Sequence, residues 1–219
     1  MAIADNLTYL NPVIDDLQKQ FPDNLTVNIA CHGHSVPAGY FATPFVDPFH
    51  SYPHLLHREI KERFPFSVVN VIVTAVGGES SMLGSERFAS DVLCMRPRVV
   101  TLDYGLNDRM NALSTTESYW KRMIEESLAN DVKIILMTPS WDQSYFRTDR
   151  SWTSLVDQAI QIRRLAEEYS VGLADSFLEF QKHIDTGGSL ADLLSHVNHP
   201  NQRAHERIAA ELSRWFLAR

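Results

Sequence analysis

Short apolar runs alternate with longer amphipathic segments along the whole chain, and this alternation constrains the fold more than any other feature. The runs have the length of strands, whereas the segments between them carry apolar residues at helical spacing. The predicted strands are residues 25–30, 68–76, 99–103, 133–138 and 171–174. Strands that alternate with helices predict an α/β fold around a largely parallel sheet.

The pattern also gives expectations for single elements. Residues 68–76 are β-branched and almost wholly apolar, which predicts a strand that is covered on both faces. Helices are predicted at residues 53–64, 85–95, 152–169 and 201–217. A further helix should begin near residue 114, because Ser114 and Glu117 have the spacing of a capping box.

Composition supports an ordinary globular protein. The chain has 219 residues, of which 44% are hydrophobic and 21% are charged, and this balance excludes disordered and fibrous classes. No repeat or low-complexity linker divides it, so residues 1–219 are interpreted as one domain. The net charge of −7 makes nucleic acid an unsuitable partner, and the apolar runs are too short to span a membrane.

Compartment is inferred from the N-terminal residues and the cysteines. Residues 1–6 show neither the basic nor the apolar region of a signal peptide. Cys31 and Cys94 both lie in apolar surroundings and are expected to be buried free thiols. These observations predict a cytoplasmic protein. The oligomeric state is left open.

Groups suited to acyl transfer follow the predicted strands. In folds of this type ligands bind beyond the carboxyl ends of the strands, so groups after different strands meet at one edge. Ser35 follows the first strand, and its hydroxyl needs an imidazole base, for which His199 is the candidate. The backbone N–H groups of Ser35 and Gly78 and the side-chain amide of Asn107 are candidate donors to an oxyanion. The sequence therefore predicts a serine hydrolase site that acts on a small-molecule ester.

These segments have the order and spacing of a known family. They are Gly33-His34-Ser35 with Gly39 four residues later, Gly77-Gly78, Gly105-Leu106-Asn107-Asp108 and His199-Pro200-Asn201. The sequence resembles the SGNH or GDSL-type hydrolases over nearly its whole length. The resemblance implies a three-layer α/β/α fold of the flavodoxin-like type, with a five-stranded, mainly parallel sheet. It also implies that Ser35 is the nucleophile, that His199 is the base, and that Ser35, Gly78 and Asn107 form the oxyanion hole.

The sequence departs from this family at two positions that usually carry aspartate. His34 precedes the serine, and His196 stands three residues before His199, so the usual carboxylate partner of the base is missing. The residues that could orient the base instead are Ser195, His196 and Asp192. We expect a Ser35–His199 dyad in which a neutral oxygen, from a hydroxyl or a backbone carbonyl, lies beside Nδ1 of the base.

Further side chains near these segments have possible roles. His34, Tyr40 and Trp141 are expected to form a wall of the substrate site, but an aromatic loop packed on itself explains Trp141 equally well. The nine histidines come without a His-Glu-x-x-His motif, paired thiols or a carboxylate cluster. No metal and no other cofactor is therefore expected.

Other functions fit the sequence less well. An α/β-hydrolase lipase would need a small residue two positions after its nucleophile, where Pro37 stands. A flavodoxin-like nucleotide binder would need a glycine-rich phosphate loop, which is absent. The sequence therefore predicts a serine esterase of small acyl esters, and the resemblance favours acetyl groups and carbohydrate esters. The alternatives are a catalytically inactive binding protein on the same fold and a lipase or acylhydrolase of longer-chain esters.

Overall fold

The computed structural model describes residues 2–147 and 149–217, and these residues build one five-stranded sheet. Its strands are β1 Thr26–Gly33, β2 Val68–Val73, β3 Val99–Asp103, β4 Lys133–Met137 and β5 Gly172–Ala174. They lie in the order β2-β1-β3-β4-β5, and every neighbouring pair is parallel. The predicted α/β class and parallel sheet are confirmed.

Helices occupy most of the connections between the strands. They are α1 Asn11–Gln18, α2 Tyr52–Arg63, α3 Ser81–Glu86, α4 Phe88–Asp91, α5 Gly105–Asp108, α6 Leu113–Ala129, α7 Ser144–Arg147, α8 Arg150–Tyr169, α9 Ser176–Asp185 and α10 Gln202–Ser213. Short 3-10 turns follow at Pro48–His50, Leu93–Met95, Leu190–Asp192 and Arg214–Phe216.

Two apolar cores lie on opposite faces of the sheet. Successive residues of a strand point to opposite faces, so Val99 joins one core and Val100 joins the other. The first core includes Leu56 from α2 and Ile208 from α10, and the second includes Trp120 from α6. Helices therefore cover both faces, which confirms the three-layer α/β/α architecture.

The expectation that the second strand is covered on both faces is wrong. β2 is an edge strand, and Val68 and Val73 at its two ends are 45% and 43% exposed. It ends at Val73, three residues before the predicted limit. The β-branched pattern indicated a strand but could not show that only β1 lies beside it.

Two helix predictions also need correction. α6 begins at Leu113, after Ala112, so Ser114 lies inside the first turn and no side chain caps the helix. The helix predicted at residues 85–95 is divided into α3, α4 and a 3-10 turn. The division falls at Arg87, whose backbone leaves helical geometry at φ −99° and ψ 4°.

Helices α1 and α9 were not predicted, because both are short and α9 follows a strand of only three residues. Cys31 is buried as expected, but Cys94 is exposed because it lies on a surface 3-10 turn; both thiols are free. Among the described residues, no helix combines the length and hydropathy that crossing a membrane requires. The interpretation of residues 1–219 as one domain stays a prediction.

Candidate active site

The carboxyl edge of the sheet gathers the segments that the sequence singles out. Ser35 lies two residues after the end of β1, and Asn107 belongs to α5 just after β3. β1 and β3 are neighbours, with Gly33 in register with Asp103. Gly78 lies in a turn after β2, and His199 precedes α10. Parallel strands thus bring residues that are distant in sequence to one place.

Ser35 and His199 are in direct contact. The Oγ atom of Ser35 lies 2.9 Å from the Nε2 atom of His199. Both residues are buried, with 7% and 5% of their surfaces exposed. A hydroxyl at this distance can pass its proton to the imidazole nitrogen.

Two glycines shape the turn that carries Ser35. A Cβ atom on Gly33 would lie 2.5 Å from the carbonyl oxygen of Asp103, so only glycine allows β1 and β3 to approach here. Gly39 closes the turn with a φ of +87°, which favours glycine. The N–H of His34 also donates to the carbonyl of Asp103 at 3.2 Å. These contacts fix the main chain around the serine.

Three N–H donors lie in the segments around this contact. Within residues 2–147 and 149–217, no acceptor meets the backbone N–H of Ser35 or of Gly78. Gly78 has a φ of +81°. Asn107 donates one N–H of its amide to the carbonyl of Glu79 at 2.8 Å, and an amide nitrogen has a second N–H to offer.

The pKa of His199 is lowered from its ordinary value of 6.5. The first cause is burial, which disfavours the charged imidazolium. The main chain of Phe41 partly offsets this shift, whereas His34 and His196 add to it. A lowered pKa keeps the imidazole neutral, and therefore basic, at neutral pH.

The Nδ1 atom of His199 makes no hydrogen bond within the described part of the chain. Asp192 does not reach it, because its Oδ2 atom accepts from Nε2 of His183 at 3.1 Å and from the backbone N–H of Ser189 at 2.9 Å. The Ser195 hydroxyl donates to the main-chain carbonyl of His199 at 3.1 Å rather than to its ring.

The third candidate for orienting the base, His196, is exposed. The structure thus brings none of the three proposed orienting side chains to the Nδ1 atom. The main chain of Phe41 lies near enough to the ring to raise its pKa, although it makes no hydrogen bond to Nδ1.

His34 lies inside the protein beside Ser35, with only 1% of its surface exposed, so it does not form a substrate wall. Its Nδ1 atom accepts from the backbone N–H of Val36 at 3.3 Å and lies 3.3 Å from Oγ of Ser35. Its Nε2 atom is 3.3 Å from Oδ1 of Asp103, but the two atoms are not aligned for a hydrogen bond.

The carboxylate of Asp103 was missed in the sequence analysis. It is buried and also accepts from the hydroxyl of Tyr52 at 3.3 Å. Its position as the last residue of β3 was the available signal, because that position faces the site edge.

The two aromatic candidates for the substrate wall differ in position. The ring of Tyr40 is half-buried and lies 5.9 Å from the ring of His199. Its atoms also lie 3.0 Å from where a Cβ of Gly77 would be, so it stands between the glycine turn and the base. Trp141 is 1% exposed and belongs to a buried aromatic cluster with Tyr145, Trp152, Phe177 and Phe180. Trp141 is therefore a packing residue.

Among the described residues, no group of three or more histidine, cysteine, aspartate or glutamate side chains could hold a metal ion. Two of the nine histidines, His50 and His57, have other partners. Nδ1 of His50 lies 2.6 Å from Asp47, and Nε2 of His57 donates to the carbonyl of Val69 at 3.0 Å.

A five-stranded parallel sheet between two helical layers, with a serine and a histidine in contact at its carboxyl edge, defines an SGNH-type hydrolase. The chain matches the GDSL-like lipase/acylhydrolase family over residues 31–207. It belongs to this family and is a carboxylic ester hydrolase. No curated protein sequence matches it significantly.

Solved structures share the fold at low sequence identity. Axe2, an acetylxylan esterase from Geobacillus stearothermophilus, is 18% identical with a TM-score of 0.76, over 88% of this chain and 95% of that chain. LAE5, an enzyme from the metagenome of Lake Arreo, is 19% identical with a TM-score of 0.76, over 87% and 94%. A two-domain esterase active on acetylated mannans is 17% identical with a TM-score of 0.75. This match spans 96% of the present chain and 52% of the esterase.

Proposed function

We propose that the protein is a serine esterase that removes small acyl groups, acetyl above all, from carbohydrate esters. The contact of 2.9 Å between Oγ of Ser35 and Nε2 of His199 carries this proposal. A serine hydroxyl is a weak nucleophile until a base takes its proton, and a neutral imidazole at hydrogen-bond distance is the usual base. The lowered pKa of His199 keeps it in that form.

In the proposed reaction, Oγ of Ser35 attacks the acyl carbon while its proton passes to Nε2 of His199. The negative charge moves to the carbonyl oxygen, where the N–H groups of Ser35 and Gly78 and the amide of Asn107 donate to it. The intermediate collapses when the imidazolium of His199 protonates the departing alcohol, which leaves the acyl group on Ser35. Water then attacks this ester while His199 takes its proton, and the imidazolium returns that proton to Oγ of Ser35 as the acid leaves.

The base acts in this proposal without a carboxylate partner. The structures of the acetylxylan esterase include catalytic mutants in which a serine, a histidine or an aspartate is replaced by alanine. This chain has His196 where the family usually has that aspartate. The Nδ1 atom of His199 has no hydrogen-bond partner among the described residues, and the nearby main chain of Phe41 carries no charge, so we infer a dyad with less charge stabilisation than a triad.

The substrate class rests on the known esterases of the same fold. One of these is an acetylxylan esterase, and another is active on acetylated mannans.

We also propose a cytoplasmic location, which both free thiols, Cys31 and Cys94, support. Nucleic acid is not an expected partner of a chain with a net charge of −7.

A panel of esters tests the function. It should contain acetyl, butyryl and long-chain esters of one chromogenic alcohol, together with acetylated xylose and mannose, with Ser35→Ala as the blank. We expect kcat/KM to fall with acyl length and acetylated sugars to be cleaved. A preference for long chains would support a lipase instead, and no turnover of any ester would support an inactive binding protein.

A further inference from the structure

Glu79 directly follows Gly78, and its carboxylate is buried, with 6% of the residue exposed. Arg87 donates from Nε to Oε1 at 2.8 Å and from a terminal nitrogen to Oε2 at 2.5 Å. The hydroxyl of Tyr104 donates to Oε2 at 2.9 Å. Both carboxylate oxygens are therefore held, which gives the side chain a single orientation.

The main chain of Glu79 adjoins two of the proposed oxyanion donors. Its carbonyl accepts from Nδ2 of Asn107 at 2.8 Å, and its own N–H donates to the carbonyl of Val76 at 3.2 Å. Gly78 lies outside any helix or strand with a φ of +81°, so the direction of its N–H depends on its neighbours. Glu79 is thus the residue that touches both donors.

The partners of Glu79 are themselves anchored. Arg87 also donates to the carbonyl of Thr74 at 2.6 Å, next to the end of β2. The hydroxyl of Tyr104 packs against Gly84, where a Cβ atom would lie only 2.2 Å from its oxygen. Burial and then the Glu79 charge hold the pKa of Tyr104 well above its ordinary value of 10.0, so the phenol stays a donor.

A role in stability alone is a poor explanation of this buried pair. Removing both charges from water costs about as much free energy as their attraction returns, so buried ion pairs contribute little net stability. Donors to an oxyanion, in contrast, act strongly only when they are fixed before the reaction, and contacts behind them supply that fixation.

We propose that Glu79, held by Arg87 and Tyr104, is a positioning residue for the two oxyanion donors Gly78 and Asn107. The inference rests on the proposed function, since it assigns a task to a residue behind the proposed oxyanion hole. Glu79 does not touch the substrate in this account. It acts through the amide of Asn107 and the backbone of Gly78.

A double-mutant cycle with Glu79→Gln and Asn107→Ala tests the proposal on an acetyl ester. Glu79→Gln keeps the size of the side chain and removes its charge, and we expect kcat to fall about tenfold with KM changed less than about twofold. Asn107→Ala should lower kcat by about 10²–10³. When Asn107 is already alanine, Glu79→Gln should cost less than about threefold, because much of what it positions is gone.

A matched pair of arginines provides the control. Arg163 makes the same kind of fork to Asp175, with contacts of 2.8 and 2.9 Å. Arg87→Lys should reproduce the fall in kcat, whereas Arg163→Lys should leave kcat unchanged. If Glu79→Gln fails to fold, Tyr104→Phe removes one contact to the carboxylate and should give a smaller loss of the same kind.

Three results would overturn the inference. The first is a full tenfold loss of kcat from Glu79→Gln in the Asn107→Ala background, and the second is an effect of Glu79→Gln on KM alone. The third is an equal loss of kcat in Arg87→Lys and Arg163→Lys. Failure of the proposed function is a different observation, because turnover would then survive in Ser35→Ala or be absent from the wild type with every ester.

Discussion

The hydroxyl of Ser35 and the imidazole of His199 lie 2.9 Å apart across 164 positions of sequence. Burial lowers the pKa of His199 below 6.5, so the ring is neutral and ready to accept a proton at lower pH than an exposed histidine. Because only the neutral ring acts as a base, kcat/KM should fall as the pH drops through the pKa of His199. We expect the midpoint of this acid limb, measured on a small acetyl ester, to lie below 6.5. A midpoint above 6.5 would mean that a partner stabilises the imidazolium.

Asp192 should matter little for turnover. Its carboxylate contacts His183 and the backbone N–H of Ser189 instead of His199. Asp192→Ala should therefore lower kcat/KM less than about tenfold, far below the ~10⁴ loss that follows replacement of a true triad acid. His183→Gln removes the same contact from the other side and should give a similarly small effect. A loss above about 10³ in folded Asp192→Ala protein would restore an acid to the mechanism.

Two buried histidines should make the fold sensitive to acid. Burial is the main cause that lowers the pKa of His32 to about 4 and of His205 to about 3. The unfolded chain takes up these protons near pH 6.5, so stability is present above that pH and is lost as the pH falls below it. For each histidine, the free energy of unfolding should therefore fall by about 2 kcal/mol between pH 7 and pH 5.

Urea unfolding at both pH values checks this expectation. Between pH 7 and pH 5, His205→Gln should lose less unfolding free energy than the wild type. Replacing the exposed His54 by Gln should leave that loss at the wild-type value. Equal losses in all three proteins would contradict the assignment.

Ester turnover should survive exhaustive chelation. Neither the attack by Ser35 nor proton transfer to His199 needs a Lewis acid, and the described residues hold no cluster of three metal-binding side chains. Activity after dialysis against a chelator should match that of the untreated enzyme. A loss that added zinc reverses would give the histidines a metal-binding role.

The sequence predicted the elements whose signal is local. The sequence predicts β3 at residues 99–103, as observed, because three of its five residues are β-branched. The same kind of run predicts a strand covered on both faces at β2, which is wrong, because the pattern does not show how many neighbouring strands a strand has. Helix α1 escaped notice because its stability comes from Val13 and Leu17 packing on the sheet, which is tertiary information.

The candidate site divides in a similar way. Ser35, Gly78, Asn107 and His199 follow from motifs at strand ends, where local sequence and chemistry coincide. Side-chain direction cannot be read from sequence, and for that reason His34 and Trp141 are expected in a substrate wall although both are buried. Glu79 and Asp103 were missed because their importance comes only from what the fold brings beside them.

The proposed mechanism depends most directly on Ser35 as the nucleophile. Reaction with a fluorophosphonate, followed by mass spectrometry of the digested protein, measures this together with turnover of an acetyl ester. Ser213 offers a matched control, since it is 7% exposed like Ser35 but donates to the carbonyl of Ala210 on α10. We expect one label, on Ser35, in the wild type and in Ser213→Ala. In folded Ser35→Ala, label should be absent and turnover lower by several orders of magnitude. Substantial turnover in that variant, or labelling of another serine in the wild type, would contradict the account.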